Sequence, residues 1–257
     1  NPNLINEAII LEALRVPGNK IMLTKNYQGK NDLIFNGKTW GLRWSSNDHP
    51  RDGEPESEVR WFHSSEYIEM NELLLWAIDA TSRNRIAEVL IVDNEQAVVT
   101  YNITSENPIG ELLPPNDKDR LVISKLENIK IEKGNLYLGY KKWPSEQLGI
   151  DYQDGRIIDE ITEEYLSKDE KDFSEDTEVF SDLLKRGLHP RPGFKYGTEW
   201  RCYDKKIGID HAPWLVVSPS NKIMTWGSAC LASRLASGVN KTWLRPLKID
   251  GMWKYLG

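Results

Sequence analysis

The chain has 257 residues, 39% of them hydrophobic and 28% charged, with a formal net charge of −6. That length accommodates one large domain or two to three small ones, each burying its own core, and no apolar run approaches the ~20 residues of a membrane-crossing helix, so no membrane protein is expected. The two cysteines, Cys202 and Cys230, have no His/Cys cluster around them, which argues against a disulfide framework or a zinc site, predicts no metal or other cofactor, and points to a reducing, cytoplasmic setting.

Leu4, Ile9, Ile10, Leu11 and Leu14 recur at helical spacing over residues 4–15, and Val16-Pro-Gly18 ends that helix. Short strands are predicted at 21–23, 33–35, 39–44 and 59–62, with a Pro- and Gly-bearing loop at 47–56. Residues 70–81 form a strongly apolar helix, and 87–92 with 97–103 a hairpin around Asp93-Asn-Glu-Gln96. Residues 108–116, rich in proline, read as a linker. Beyond it 121–126, 129–132 and 136–140 read as strands, the last two turned by Lys133-Gly134-Asn135, and 159–166 and 177–186 as helices. Gly187 caps the second helix, and Pro190 and Pro192 prevent its continuation. The last third reads as a strand at 198–203, an apolar strand at 214–217, a helix rich in small residues at 225–237, and strands at 242–247 and 252–256 around Ile249-Asp250-Gly251.

Charge is unevenly spread. Residues 151–178 hold Asp159-Glu160, Glu163-Glu164, Asp169-Glu170 and Glu175-Asp176, whereas 185–254 is basic, so the mean charge does not exclude a nucleic-acid ligand.

The two ends of the chain match in pattern. Trp40-Gly-Leu-Arg-Trp44 lies over 198–202, and at one constant offset 59–62 lies over 214–217, 73–81 over 228–236 and 89–92 over 244–247. This is an internal duplication found by pattern. Opposite Tyr203 the first copy has Ser45 or Ser46, opposite His211 it has Glu56, and opposite Lys241 it has Ile86, with Arg85 one residue away. The expected fold is mixed α+β, a tandem repeat of small mixed-sheet units: a degenerate copy at 1–108, a linker and small subdomain at 109–177, and a second unit at 178–257 that keeps the reactive groups.

Tyrosine, histidine and lysine without a metal, cysteine or carboxylate pair suit one chemistry in particular. RNA carries its own nucleophile, the 2′-hydroxyl; its cleavage needs a base, an acid for the departing 5′-oxygen, and a cation for the phosphate. His titrates near neutral pH, Lys is a compact point charge, and Tyr exchanges a proton when a cation is close. Each residue alone has a bland reading as a packing, capping or helix-end group.

Their context is more specific. Phe180-Ser-Asp-Leu-Leu-Lys-Arg-Gly187, Gly193-Phe-Lys-Tyr-Gly197, Trp200-Arg-Cys-Tyr203, His211-Ala-Pro-Trp-Leu-Val-Val217 and Arg234-Leu-Ala-Ser-Gly-Val-Asn-Lys241 occur in this order, and residues 178–257 resemble the catalytic domain of the archaeal and eukaryotic tRNA-splicing endonucleases. The resemblance implies Tyr203 as general base, His211 as general acid and Lys241 as stabiliser of the transition state. It implies an RNA-binding set of Arg234, Lys195, Arg201 and Trp253, with Arg234 stacking on a flipped-out base, although by its residue type alone Arg234 also suits a surface ion pair. It implies precursor tRNA with a bulge-helix-bulge as substrate, 2′,3′-cyclic phosphate and 5′-hydroxyl products, and a homodimer docked through an acidic hairpin loop at Asp93 and Glu95, which also reads as an ordinary polar turn. Asn240 and Ser237-Gly238 depart from the family's Arg and His-Ser at those positions. Two other classes fit less well: a non-catalytic subunit that positions RNA, favoured by the acidic net charge and Asn240, and a metal-dependent nuclease, for which Glu199 and Asp204 supply no convincing ligand set.

Overall fold

A computed structural model describes the chain except residues 1, 30, 31, 52, 141 and 222. It divides into two units. One runs to Ser105 and takes in Ile223–Leu231 and Leu256–Gly257; the other comprises Glu106–Lys222 and Ala232–Tyr255. Among the described residues no helix is long and apolar enough to cross a membrane.

The first unit begins with helix α1 (Pro2–Arg15), followed by strands β1 (Lys20–Leu23), β2 (Gly41–Trp44) and β3 (Ser57–His63), helix α2 (Met70–Ser82), and the hairpin β4 (Ile86–Val92) and β5 (Val98–Ile103). They form a five-stranded sheet in the order β1-β2-β3-β4-β5. Only β3 and β4 are parallel, and α2 is the crossover between them. Ile10 and Leu14 of α1 pack on Val59, Leu90 and Val92 of one sheet face. The strand expected at 33–35 is absent: Leu33 instead packs from a loop against Leu42 and Trp44.

After the short β6 (Ser105–Glu106) comes α3 (Asp117–Ser124), where the sequence predicts a strand at 121–126. A local start signal overrides the β-branched run: Asn116 accepts from the Asp119 amide at 2.9 Å, and Asp117 and Asp119 occupy the first turn. Strands β7 (Ile129–Ile131), β8 (Gly134–Leu138), β9 (Ile150–Tyr152) and β10 (Gly155–Ile158) form a small sheet ordered β7-β8-β10-β9. Helix α4 (Glu160–Ser167) is capped by Asp159, which accepts from the Thr162 amide. Helix α5 (Glu175–Lys185) is capped by Ser174 and ends at Gly187, whose φ of +76° and close approach to the Gly110 carbonyl suit only glycine.

The second large sheet is built from β11 (His189–Pro192), β12 (Trp200–Tyr203), β13 (Trp214–Val216), helix α6 (Trp226–Ser237), β14 (Thr242–Ile249) and β15 (Met252–Leu256). Its order is β11-β12-β13-β14-β15-β6. The first five strands of this sheet therefore repeat the order of the first sheet, with antiparallel, antiparallel and then parallel pairing in turn, and the same helical crossover before the final hairpin; β6 is added at the edge. The tandem-repeat α+β fold read from the sequence is the one observed. The core of the second sheet joins Trp200, Cys202, Val216, Leu244 and Tyr255 to Phe180, Leu183 and Leu184 of α5.

The backbone sharpens the alignment of the copies. After α2, Arg83 and Arg85 donate to Ala80 and Asn84 donates to Thr81; after α6, Val239 and Lys241 donate to Ala236 and Asn240 donates to Ser237. Asn84 and Asn240 both take the left-handed conformation, at φ +57° and +55°. Lys241 is thus equivalent to Arg85, a one-residue correction to the pattern match, which had set it against Ile86. The strand row Arg43, Ser57, Ile86 matches the row Cys202, Trp214, Thr242. Counting from these rows, Tyr203 is equivalent to Trp44, not Ser45 or Ser46, and His211 to Glu54, not Glu56.

Candidate active site

Strand direction brings the three candidate groups to one end of the second sheet. Strand β12 runs toward that end and finishes at Tyr203; β13 and β14 run away from it, so the loop carrying His211 and the residue Lys241 lie at their starts. Thr242 donates to the Pro213 carbonyl at 2.9 Å, tying the beginning of β14 to this loop. Lys241 Nζ donates to the carbonyl of Ala212, the residue after His211. His211 is exposed, and its amide donates to Asp210 Oδ1 at 2.7 Å, while Tyr203 and Lys241 are half-buried.

A tight turn at Phe194–Tyr196 forms a further wall. The Tyr196 ring centroid lies 5.9 Å from Lys241 Nζ. Gly193 is required there, because a Cβ would stand 2.4 Å from Thr198 Oγ1 and 2.8 Å from the Thr198 carbonyl. Cys202, next to Tyr203, points into the core, where burial pushes its thiol far above the ordinary range and leaves it inert.

Of the expected RNA-binding residues, Arg201 lies two positions before Tyr203, its guanidinium 5.7 Å from the phenol ring centroid. Lys195 is exposed on the turn beside Tyr196, and Arg234 is exposed in the last turn of α6. Trp253 is not brought to this end: it lies near the tip of the β14–β15 hairpin, its ring 5.5 Å from Lys248 Nζ and its carbonyl accepting from Arg186 at 3.0 Å. In the hairpin turn of the first copy, Asp93 Oδ1 accepts from the amides of Glu95 and Ala97, both at 2.9 Å, and Glu95 is exposed. Sequence reasoning missed His189 and Arg191, which pair directly across β11–β12 with Tyr203 and Arg201. Burial, reinforced by the charges of Arg191 and Arg156, holds the His189 imidazole down to about 3. Among the described residues no three His, Cys, Asp or Glu side chains gather as a metal-ligand set.

The equivalent corner of the first copy is closed. Trp44 is 0% exposed and donates its indole N–H to the Gly53 carbonyl at 2.8 Å. Arg85, 3% exposed at its side chain, is paired with Glu54 at 2.6 Å and with the fully buried Glu58 at 3.2 Å.

Comparison with known proteins places these features in context. The family described as tRNA intron endonuclease, catalytic C-terminal domain, matches residues 173–248. A tRNA-splicing endonuclease of Thermoplasma volcanium is 33% identical over 144 residues, 54% of this chain and 48% of that protein. One from Methanococcoides burtonii is 28% identical over 193 residues, 73% of this chain and 50% of that protein. One from Saccharolobus islandicus is 32% identical over 134 residues, 51% of this chain and 69% of that protein. The chain thus spans about half the length of the first two relatives.

Proposed function

We propose that this chain, which belongs to the tRNA-splicing endonuclease family, excises introns from precursor tRNA by cutting at bulge-helix-bulge sites without a metal ion. The observation that carries this reading is the gathering of Tyr203, His211 and Lys241 at one sheet end, opposite a first copy whose same corner is filled by Trp44 and locked by Arg85. Tyr203 takes the 2′-hydroxyl proton as that oxygen bonds to phosphorus. His211 gives a proton to the 5′-oxygen as its bond to phosphorus breaks. Lys241 opposes the charge that grows on the non-bridging oxygens. One P–O bond forms and one breaks, leaving a 2′,3′-cyclic phosphate and a 5′-hydroxyl.

In this reading 178–257 is the catalytic domain, 109–177 its supporting subdomain and 1–108 a pseudo-catalytic repeat. Two such chains would supply two live sites for the two cuts, docked through the loop of Asp93 and Glu95. Incubation with a bulge-helix-bulge RNA in EDTA tests the chemistry: two cuts with cyclic-phosphate ends are expected, and intact RNA overturns the reading. Sedimentation of the Asp93→Lys/Glu95→Lys chain tests the docking: dissociation to monomer is expected, and an unchanged dimer would remove the loop from the interface.

A further inference from the structure

We infer that Arg191 and Arg201 form a seat for an RNA backbone phosphate neighbouring the one that is cut. The two residues stand directly opposite each other on β11 and β12, one register position from the His189–Tyr203 pair. Directly opposed residues in an antiparallel pair have Cβ atoms about 5 Å apart, and like charges in that position repel. Neither arginine has a carboxylate within salt-bridge reach among the described residues. Asp151, whose charge acts favourably on Arg191 from beyond salt-bridge reach, is engaged by Arg156 at 2.8 Å. Arg191 donates to the Gly149 carbonyl, and Arg201 Nε is buried with no hydrogen-bond partner among the described residues. Burial and the neighbouring Arg156 charge, with Arg201 adding to it, hold the Arg191 guanidinium below its usual range. A phosphodiester answers both deficits: it carries the missing negative charge and offers acceptor oxygens suited to guanidinium forks.

The first copy shows that the fold does not need cations there. By the same strand rows the counterpart of the Arg191–Arg201 pair is Met22–Leu42, also directly opposed, with Met22 packed against the Leu33, Leu42 and Trp44 cluster. An apolar pair closes this position in the copy that lacks the reactive groups; a pair of like charges without a salt-bridge partner among the described residues occupies it beside Tyr203. Arg201, already near the Tyr203 ring, places the seat against the reacting phosphate.

This inference rests on the ligand being RNA, and its test separates the two ideas. Binding of a bulge-helix-bulge RNA to the full chain carrying His211→Ala is measured against salt concentration, alone and with Arg191→Met or with Arg191→Met/Arg201→Leu, which copies the apolar pair of the first repeat. Each arginine removed is expected to make the plot of log affinity against log salt shallower by roughly 0.7 to 0.9, the worth of one phosphate contact. In the cleaving enzyme Arg191→Met should raise KM by about tenfold while kcat falls much less, and the melting temperature should hold or rise as the like-charge pair is relieved. An unchanged salt slope with RNA still bound would overturn the seat alone. A melting temperature lowered together with kcat at constant KM would assign Arg191 a structural role instead. If the His211→Ala chain binds no RNA at any salt concentration, the seat falls together with the RNA reading.

Discussion

The same strand order, crossover and helix-end turn occur in both halves of this chain, yet the corner after the second strand is filled in opposite ways. In the first copy a buried tryptophan closes it, and the cation before the fourth strand is consumed by two carboxylates. In the second, a half-buried tyrosine replaces the tryptophan and a lysine held by a backbone carbonyl replaces the arginine. A cation bound by a neutral carbonyl keeps its charge available to an incoming phosphate; one neutralised by Glu54 and Glu58 does not. The framework is common to both copies, and among the described residues the cation at this corner is paired with carboxylates in the first and with none in the second.

Substitutions at matched positions should separate these roles. The largest stability effect is expected in the first copy. Trp44→Ala should cost ~3–5 kcal/mol through cavity formation, read as a denaturant midpoint. Arg85→Met removes one of the two arginines on the buried Glu58, leaving Arg83 paired with it at 2.8 Å, and should cost about 1.5–3 kcal/mol. Lys241→Met and Tyr203→Phe, in the second copy, each give up about one hydrogen bond or less and should cost ~1 kcal/mol. Equal losses in the two copies would break the contrast.

A smaller effect concerns His189, paired across the strands with Tyr203. Its folded value of about 3 lies below the ordinary 6.5, so the unfolded chain binds a proton that the folded chain refuses. Its stability contribution is complete above about 6.5 and is lost as pH falls toward 3. His189→Val should flatten the acid side of the stability profile in that window; an unchanged slope would mean that the ring is solvated in the folded protein.

The gathering of Tyr203, His211 and Lys241 at one sheet end was legible because these residues sit in local motifs whose order along the chain is the order of the strands. The duplication was legible too, but not its register. Which residue follows the helix is decided by left-handed Asn84 and Asn240 and by amides returning to Ala80 and Ala236, features that apolar periodicity does not record. Strand β11 was hidden by its prolines, which an edge strand tolerates because their missing N–H groups face no neighbour; with it went Arg191 and His189. Trp253 was placed with the RNA-binding residues although the hairpin carries it toward the far end of the sheet, a distinction that depends on strand direction and not on residue type.

The central claim is that chemistry resides in the second copy alone. Single-turnover cleavage of a bulge-helix-bulge RNA, measured for folded chains carrying Tyr203→Phe, His211→Ala or Lys241→Met and for the matched Trp44→Phe, Glu54→Gln and Arg85→Lys chains, tests it most directly. The first three should lose about 10²-fold or more in rate and the second three should stay within a few-fold of the parent. A comparable loss in the second set with the fold intact, or undiminished cleavage in the first, would contradict it.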